Sequence, residues 1–344
     1  GRDRLTNAEG IADSQDEITH LQPIRCRDAS ASSSFQSSRF SGAPPFRFHP
    51  RAFHPGSHST NPFTRYWLSD TKMTWHGRLR SRSPSMALRM CMPRLPIDKV
   101  LKALKALLYL ERQWIPSAAG ASLYIRPTMI AVDPYLGVRP SETYYFYIIL
   151  SPVGAYYAEG FNPTKIYVSD EYVRAVKGGV GNVKTGGNYA ASLFTSQLAK
   201  KAGYTQVLWL DACEHRYVEE VGTSNIFFLI EDELITPPLE GSILGGITRD
   251  SVLKLAASWG IRTAERKITI DEVLAACADG SLQESFGTGT AAVISPIGEL
   301  MYRDKVYRIN DGRIGALSQR LFTDLQAIQG GYRDDPFKWV VRVC

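Results

Sequence analysis

Near Pro96 the sequence changes character, and that change decides how much of the chain can fold around a common core. Up to about residue 90 no period of 3.6 or 2 is sustained, and Ala29 to Pro62 is rich in Ser, Pro, Phe, Arg and His. Such a segment buries too little apolar surface to offset its ordering entropy, so residues 1–90 are expected to be disordered or non-native, an atypical basic stretch of low complexity. Its Arg- and Ser-rich part resembles a mitochondrial transit segment; a fragment, or a stretch read in the wrong frame, explains it equally well. His49, His54 and His58 lack a regular ligand spacing, so no metal site is expected.

From Pro96 onward the periods become regular. Ile97, Val100, Leu101, Leu104, Leu107 and Leu108 recur at helical spacing between lysines, predicting an amphipathic helix that ends before Pro116. Strand-like runs follow at Ser122 to Val132 and Thr143 to Ser151. Beyond an aromatic connector (Tyr156 to Pro163) the pattern predicts a strand near Ile166, a Gly-rich turn at Gly178 to Gly187, and a helix from Tyr189 to Lys201. Next come a buried strand at Gln206 to Asp211 and a hairpin at Asn225 to Thr236, turning at Glu231–Asp232. A helix at Thr248 to Trp259, a short strand, a helix opened by Thr269, a strand around Ala291 to Ile294 and a helix at Ile314 to Ile328 complete the order. Strands and helices intermingle without regular βαβ alternation, so the fold class is α+β rather than a doubly wound sheet.

Net charge is +6, yet it is not spread evenly. Residues 29–97 carry ten Arg+Lys against the single Asp70, whereas residues 98–344 hold 26 against 27. The folded part is therefore nearly neutral, which argues against a nucleic-acid groove. No apolar run is long enough to span a bilayer, so no membrane partner is expected. The five cysteines are scattered without a C-x-x-C pair, which favours a reducing compartment and a soluble intracellular protein, mitochondrial or cytoplasmic.

Two Gly-rich stretches invite a nucleotide reading and fail it. In Gly178-Gly-Val-Gly-Asn-Val-Lys184 a valine occupies the position before the lysine where a phosphate loop needs glycine. Gly287-Thr-Gly289-Thr-Ala-Ala292 is followed by strand-like Val293-Ile294-Ser295-Pro296 where a dinucleotide fold needs a helix. What remains is Lys184, between glycine-rich stretches in an apolar neighbourhood. Desolvation there would lower its pKa and suit it to Schiff-base chemistry; a solvated surface lysine is the plainer alternative.

Seven motifs occur in the order found in one enzyme family: Ser122-Leu-Tyr-Ile-Arg-Pro-Thr128, Leu150-Ser-Pro-Val-Gly154, Lys184-Thr-Gly-Gly-Asn-Tyr-Ala190, Gln206-Val-Leu-Trp-Leu-Asp211, Glu219-Glu-Val-Gly-Thr-Ser-Asn225, Ile247-Thr-Arg-Asp250 and Phe286-Gly-Thr-Gly-Thr-Ala291. On these residues the chain, from about Arg89 to its end, resembles the branched-chain amino acid aminotransferases, class IV enzymes of two-domain fold type IV that use pyridoxal 5'-phosphate. The resemblance implies a remainder of the small α/β domain at 91–157, an interdomain linker at 158–170 and a large cofactor-binding domain at 171–344. It also implies a homodimer acting on small molecules: branched-chain amino acids, glutamate, 2-oxoglutarate and branched-chain 2-oxo acids.

Carried over by position, the resemblance implies that Lys184 holds the cofactor aldehyde and shuttles the proton at the substrate α-carbon. Glu220 would sit against the pyridine nitrogen, with Glu219 pointing elsewhere if the segment is extended. Tyr189 would bond the phenolic oxygen. Ile247, Thr248 and Thr290 would hold the phosphate, with Arg82 as its arginine. Thr223 and Ala291 would receive the α-carboxylate, and Tyr124 and Arg126 the substrate side chain, the arginine gripping a second carboxylate.

The family's Gly-rich aromatic strand has no counterpart in residues 1–90, the neighbours of Arg82 do not match, and the usual Leu-Pro-Gly is Leu244-Gly245-Gly246. Ala292 and Ser295 replace the C-x-x-C of some animal members. The function implied is transfer of the amino group of leucine, isoleucine or valine to 2-oxoglutarate. The alternatives are an inactive or cofactor-only relic, and another class IV enzyme such as a D-amino acid aminotransferase or an aminodeoxychorismate lyase.

Overall fold

A computed structural model describes residues 24–25, 92–118, 121–154 and 161–343. The remainder of the N-terminal segment, with Arg82, lies outside the described residues. Of the described residues, 24–25 and 127–147 fall in one compact unit, and those of 92–126 and 148–343 in a second. No helix of the described residues is long and apolar enough to cross a membrane.

Helix α1 (Ile97–Leu110) forms where the spacing predicts it. Leu104 and Leu108, one turn apart, are buried against Ile125 of strand β2 (Ser122–Ala131), and Val341 and Val343 pack on the same cluster. Strand β3 (Thr143–Val153) lies between β2 and the two-residue β1 (Ile24–Arg25), which pairs with Tyr144 and Thr143. In the smaller unit Asp133 closes the β2–β3 connection by accepting from the amides of Glu142 and Thr143 at 2.8 and 3.0 Å.

The larger unit is built on a mixed nine-stranded sheet. Its strands are β4 (Thr164–Ser169), β5 (Gln206–Leu210), β6 (Val218–Val221), β7 (Asn225–Ile230), β8 (Glu233–Thr236), β9 (Arg262–Glu265), β10 (Leu282–Gly289), β11 (Val293–Tyr302) and β12 (Lys305–Arg308). The spatial order is β6-β5-β4-β11-β10-β7-β8-β9, with β12 paired to β11. Both faces are covered, and β7 shows how. Ile226 and Phe228 join a core containing Ile270, Val273 and Leu274 of α4 (Ile270–Asp279). Phe227 and Leu229 join another containing Val252 and Leu255 of α3 (Ile247–Ser258) and Leu321 and Leu325 of α5 (Ala316–Gly330). On β5, Val207 and Trp209 pack with Ala199 of α2 (Gly186–Lys201). Truncating a fully buried aromatic such as Phe227 to alanine removes about 3–5 kcal/mol of packing.

Thr269 opens α4 as its N-cap, accepting from the Glu272 amide at 3.0 Å. The β7–β8 turn falls at Glu231 and Asp232, both with positive φ (49° and 65°), as a tight hairpin requires. Gly287 to Ala292 closes a β10–β11 hairpin, with Gly289 opposite Val293.

The sequence expectation contained neither β6 nor β12, and three further features differ from it. Helix α2 begins at Gly186, three residues before Tyr189, so two glycines lie inside its first turn. Strand β11 runs to Tyr302 although Pro296 and Gly298 interrupt its pattern; the Pro296 carbonyl still accepts from Thr164 Oγ1 at 2.9 Å. Strand β10 is hidden in sequence because Glu284, Ser285 and Thr288 are buried polar residues. Glu284 is there to accept from the amides of Leu317 and Ser318, both at 2.8 Å, at the start of α5.

Candidate active site

Short strand β6 delivers two adjacent glutamates into the protein. Its pairing with β5 places Val221 opposite Leu208, Glu220 opposite Trp209 and Val218 opposite Leu210, which leaves Glu219 unpaired in a bulge. Strict alternation would send Glu219 and Glu220 to opposite faces; the bulge breaks that alternation, and both are buried. Beyond β6 the chain reverses through Gly222 (φ 56°), where a Cβ would lie 2.3 Å from Gln206 Oε1. That turn leaves Thr223 exposed.

Glu220 is the most engaged acid in the site. Its Oε1 accepts from the Leu244 amide and Asn225 Nδ2, both at 3.0 Å, and its Oε2 faces Arg174 Nη2 at 2.8 Å. Burial lifts its carboxyl from 4.5 to about 7, against the pull of Arg174 and the Leu244 amide. Burial also raises Glu219, which accepts from Ser242 Oγ while its Oε2 is buried without a partner. Asn225 Nδ2 donates also to the Leu244 carbonyl at 2.7 Å, and Arg174 Nη2 to the Ser242 carbonyl at 2.6 Å. The segment 242–246 is thus pinned to the acidic pair just before α3 begins.

Lys184, Tyr189, Glu220 and Thr223 line one small cavity with Arg174, Asn188 and Leu244. Asn188 Nδ2 fixes the glycine turn by donating to the carbonyls of Val180 and Val183, both at 2.8 Å. Val183 is buried and Lys184 is exposed. Tyr189 stands half-open on the first turns of α2.

Ile247 and Thr248 are the first residues of α3 and are buried. The helix is capped by Gly246, with no side-chain hydrogen bond to its amides. Glycine is required there: a Cβ would stand 2.2 Å from Asn225 Oδ1. Thr290 and exposed Ala291 form the β10–β11 turn, and the hydroxyls of Thr288 and Thr290 are buried without partners. Uncapped amides and orphaned hydroxyls fit an anionic group such as a phosphate. Tyr124 and Arg126 meet each other, Nη2 donating to the phenol oxygen at 2.7 Å, but they are not among the residues lining the Lys184 cavity.

Sequence reasoning missed Arg174, Ser242 and the bridging role of Asn225. Arg174 carried one signal, a charge set between Val173 and Ala175-Val176, and it is buried to 8% exposure.

A family model, Amino-transferase class IV, matches residues 78–300. Branched-chain-amino-acid aminotransferase 2 of Bacillus subtilis (strain 168) is 54% identical over 256 residues, covering 74% of this chain and 70% of the relative. Among solved structures, the Escherichia coli branched-chain amino acid aminotransferase superposes with a TM-score of 0.65 at 26% identity, over 81% of this chain and 88% of that one. A branched-chain amino acid aminotransferase of T.th., complexed with N-(5'-phosphopyridoxyl)-L-glutamate, gives 0.61 at 26% identity, over 75% and 80%. The chain belongs to the class IV aminotransferases. Within that class it is a member of the branched-chain amino acid aminotransferase family, as its seven ordered motifs implied.

Proposed function

We propose that the chain transfers the amino group of leucine, isoleucine or valine to 2-oxoglutarate, with pyridoxal 5'-phosphate as cofactor. The observation that carries this reading is the meeting of Lys184, Tyr189, Glu220 and Thr223 on one cavity. When bound, the cofactor supplies an aldehyde that takes up amines reversibly and a ring that accepts the electrons left at the amino acid α-carbon.

The remaining chemistry belongs to this chain's residues. Lys184 would hold the cofactor through its amine and would move the proton at the amino acid α-carbon. Glu220 keeps the ring nitrogen protonated, a task suited to a buried carboxylate already engaged by three donors. Tyr189 would donate to the phenolic oxygen. The amides of Ile247 and Thr248 and the unpartnered hydroxyl of Thr290 hold the phosphate. Arg82, outside the described residues, is the proposed phosphate arginine. Thr223 and Ala291 receive the α-carboxylate, and Tyr124 with Arg126 serves the substrate side chain or the second carboxylate of glutamate.

The working unit is proposed to be a homodimer. Helix α2 exposes Leu193 and Phe194 (61% and 56%) beside Tyr172, an apolar patch a second copy would cover. Two substitutions test the reading. Lys184→Ala should retain the fold and lose both the borohydride-reducible cofactor adduct and transamination. Glu220→Gln should lower turnover far more than cofactor binding. A reducible adduct with normal turnover in Lys184→Ala would show that another amine does the work.

A further inference from the structure

We propose that Arg174 is a positioning residue: it favours the ionised form of Glu220 and fastens segment 242–246 beside the turn that carries Lys184. The proposal rests on the reading of Glu220 as the partner of the cofactor ring nitrogen, and the geometry behind it is independent of that reading.

Two carboxylates adjacent in sequence are buried, and Arg174 Nη2 contacts one of them, Glu220, at 2.8 Å. The donors are divided unequally. Glu220 accepts from Arg174, Asn225 and Leu244, whereas Glu219 accepts from Ser242 Oγ and keeps Oε2 buried without a partner. An ionised carboxylate is favoured where donors converge. Arg174, Asn225 and the Leu244 amide thus favour the ionised form of Glu220 against its burial. Burial works against ionisation of both, and Arg174 is the strongest influence opposing it at Glu220.

The same Nη2 donates to the Ser242 carbonyl at 2.6 Å, and Nε is buried without a partner, so a single guanidinium nitrogen serves both the acid and the loop. Gly181, three residues before Lys184, passes so close that a Cβ would lie 2.2 Å from that carbonyl. One cation thus joins the acid, the loop entering α3 and the turn bearing the lysine.

The groups facing Glu220 are Arg174, Lys184, Glu219, Asn225 Nδ2 and the Leu244 amide. The test follows urea unfolding of the cofactor-free full chain against pH. Arg174→Met and Arg174→Gln should each move the Glu220-dependent inflection upward by about 1–3 pH units, the usual influence of one close opposite charge. The inflection is identified as the part that Glu220→Gln removes. Arg174→Lys, which restores the charge, should return it to within about one pH unit of its original place. An unmoved inflection in Arg174→Gln overturns the proposal whether or not Arg174→Met folds, and so does an equal displacement when Glu220 is already glutamine. The reading of Glu220 itself fails differently, by full turnover in Glu220→Gln, whatever the apo titration of the arginine variants shows.

Discussion

Replacing Glu220 by glutamine should change how the stability of the cofactor-free protein depends on pH. Burial raises this carboxyl from 4.5 to about 7 in the folded protein. The folded state therefore binds the proton more tightly than the unfolded chain, and stability from this group is greatest at the acidic end. It declines as pH rises from about 4.5 to about 7 and is flat above. Each tenfold difference in proton affinity between folded and unfolded chains is worth about 1.4 kcal/mol, so the loss between about pH 5 and pH 8 is about 2–3 kcal/mol. Glu219, also raised by burial, adds to the decline with the same sign. Glu220→Gln should remove its own share of about 2–3 kcal/mol and leave the share from Glu219. The slope carries the test, because glutamine also sets an amide in place of the carboxyl that faces Arg174 Nη2 and so changes stability by an amount that does not depend on pH. Urea midpoints and m-values at about pH 5 and pH 8, for parent and variant, supply the values needed. Equal pH slopes in the two proteins would refute the assignment of a raised, titrating carboxyl to Glu220.

Other consequences are as direct. Thr290→Val removes a hydroxyl that has no partner, so the cofactor-free fold should stay within about 0.5 kcal/mol. Its cofactor affinity by equilibrium dialysis should fall about tenfold, the worth of one hydrogen bond to a charged group. Unchanged affinity would remove Thr290 from the phosphate site. Gly246→Ala places a Cβ 2.2 Å from Asn225 Oδ1 and should cost about 1–3 kcal/mol by thermal unfolding; no loss would mean the loop accommodates the methyl freely. Leu193→Asp with Phe194→Asp should convert a dimer to monomers in light scattering, whereas a parent protein that is already monomeric contradicts the dimer.

The sequence made some parts of this molecule legible and hid others for physical reasons. Helix α1 and hairpin β7–β8 were legible because their apolar residues follow one period and their ends carry turn chemistry. Strand β10 was not, since Glu284 and Ser285 are buried to serve partners distant in the chain, the amides of Leu317 and Ser318 and the Phe227 carbonyl, and Thr288 is a further buried polar residue. The site shows the same division. Lys184, Tyr189, Glu220 and Thr223 stand in motifs, and the structure gathers them on one cavity. The bulge at Glu219 depends on register against β5, which no local pattern encodes. Arg174 owes its place to a carbonyl 68 residues away, so its sequence neighbours alone could not assign it.

A single half-reaction tests the central claim most directly. The purified full chain, loaded with pyridoxal 5'-phosphate and mixed with leucine in the absence of any oxo acid, should convert its cofactor to pyridoxamine 5'-phosphate and release an equivalent of the leucine-derived 2-oxo acid. Added 2-oxoglutarate should then return the cofactor to its starting absorbance with formation of glutamate. A cofactor that binds through Lys184 yet stays unchanged with leucine, isoleucine and valine would contradict the account and leave a protein that holds the cofactor without transferring the amino group.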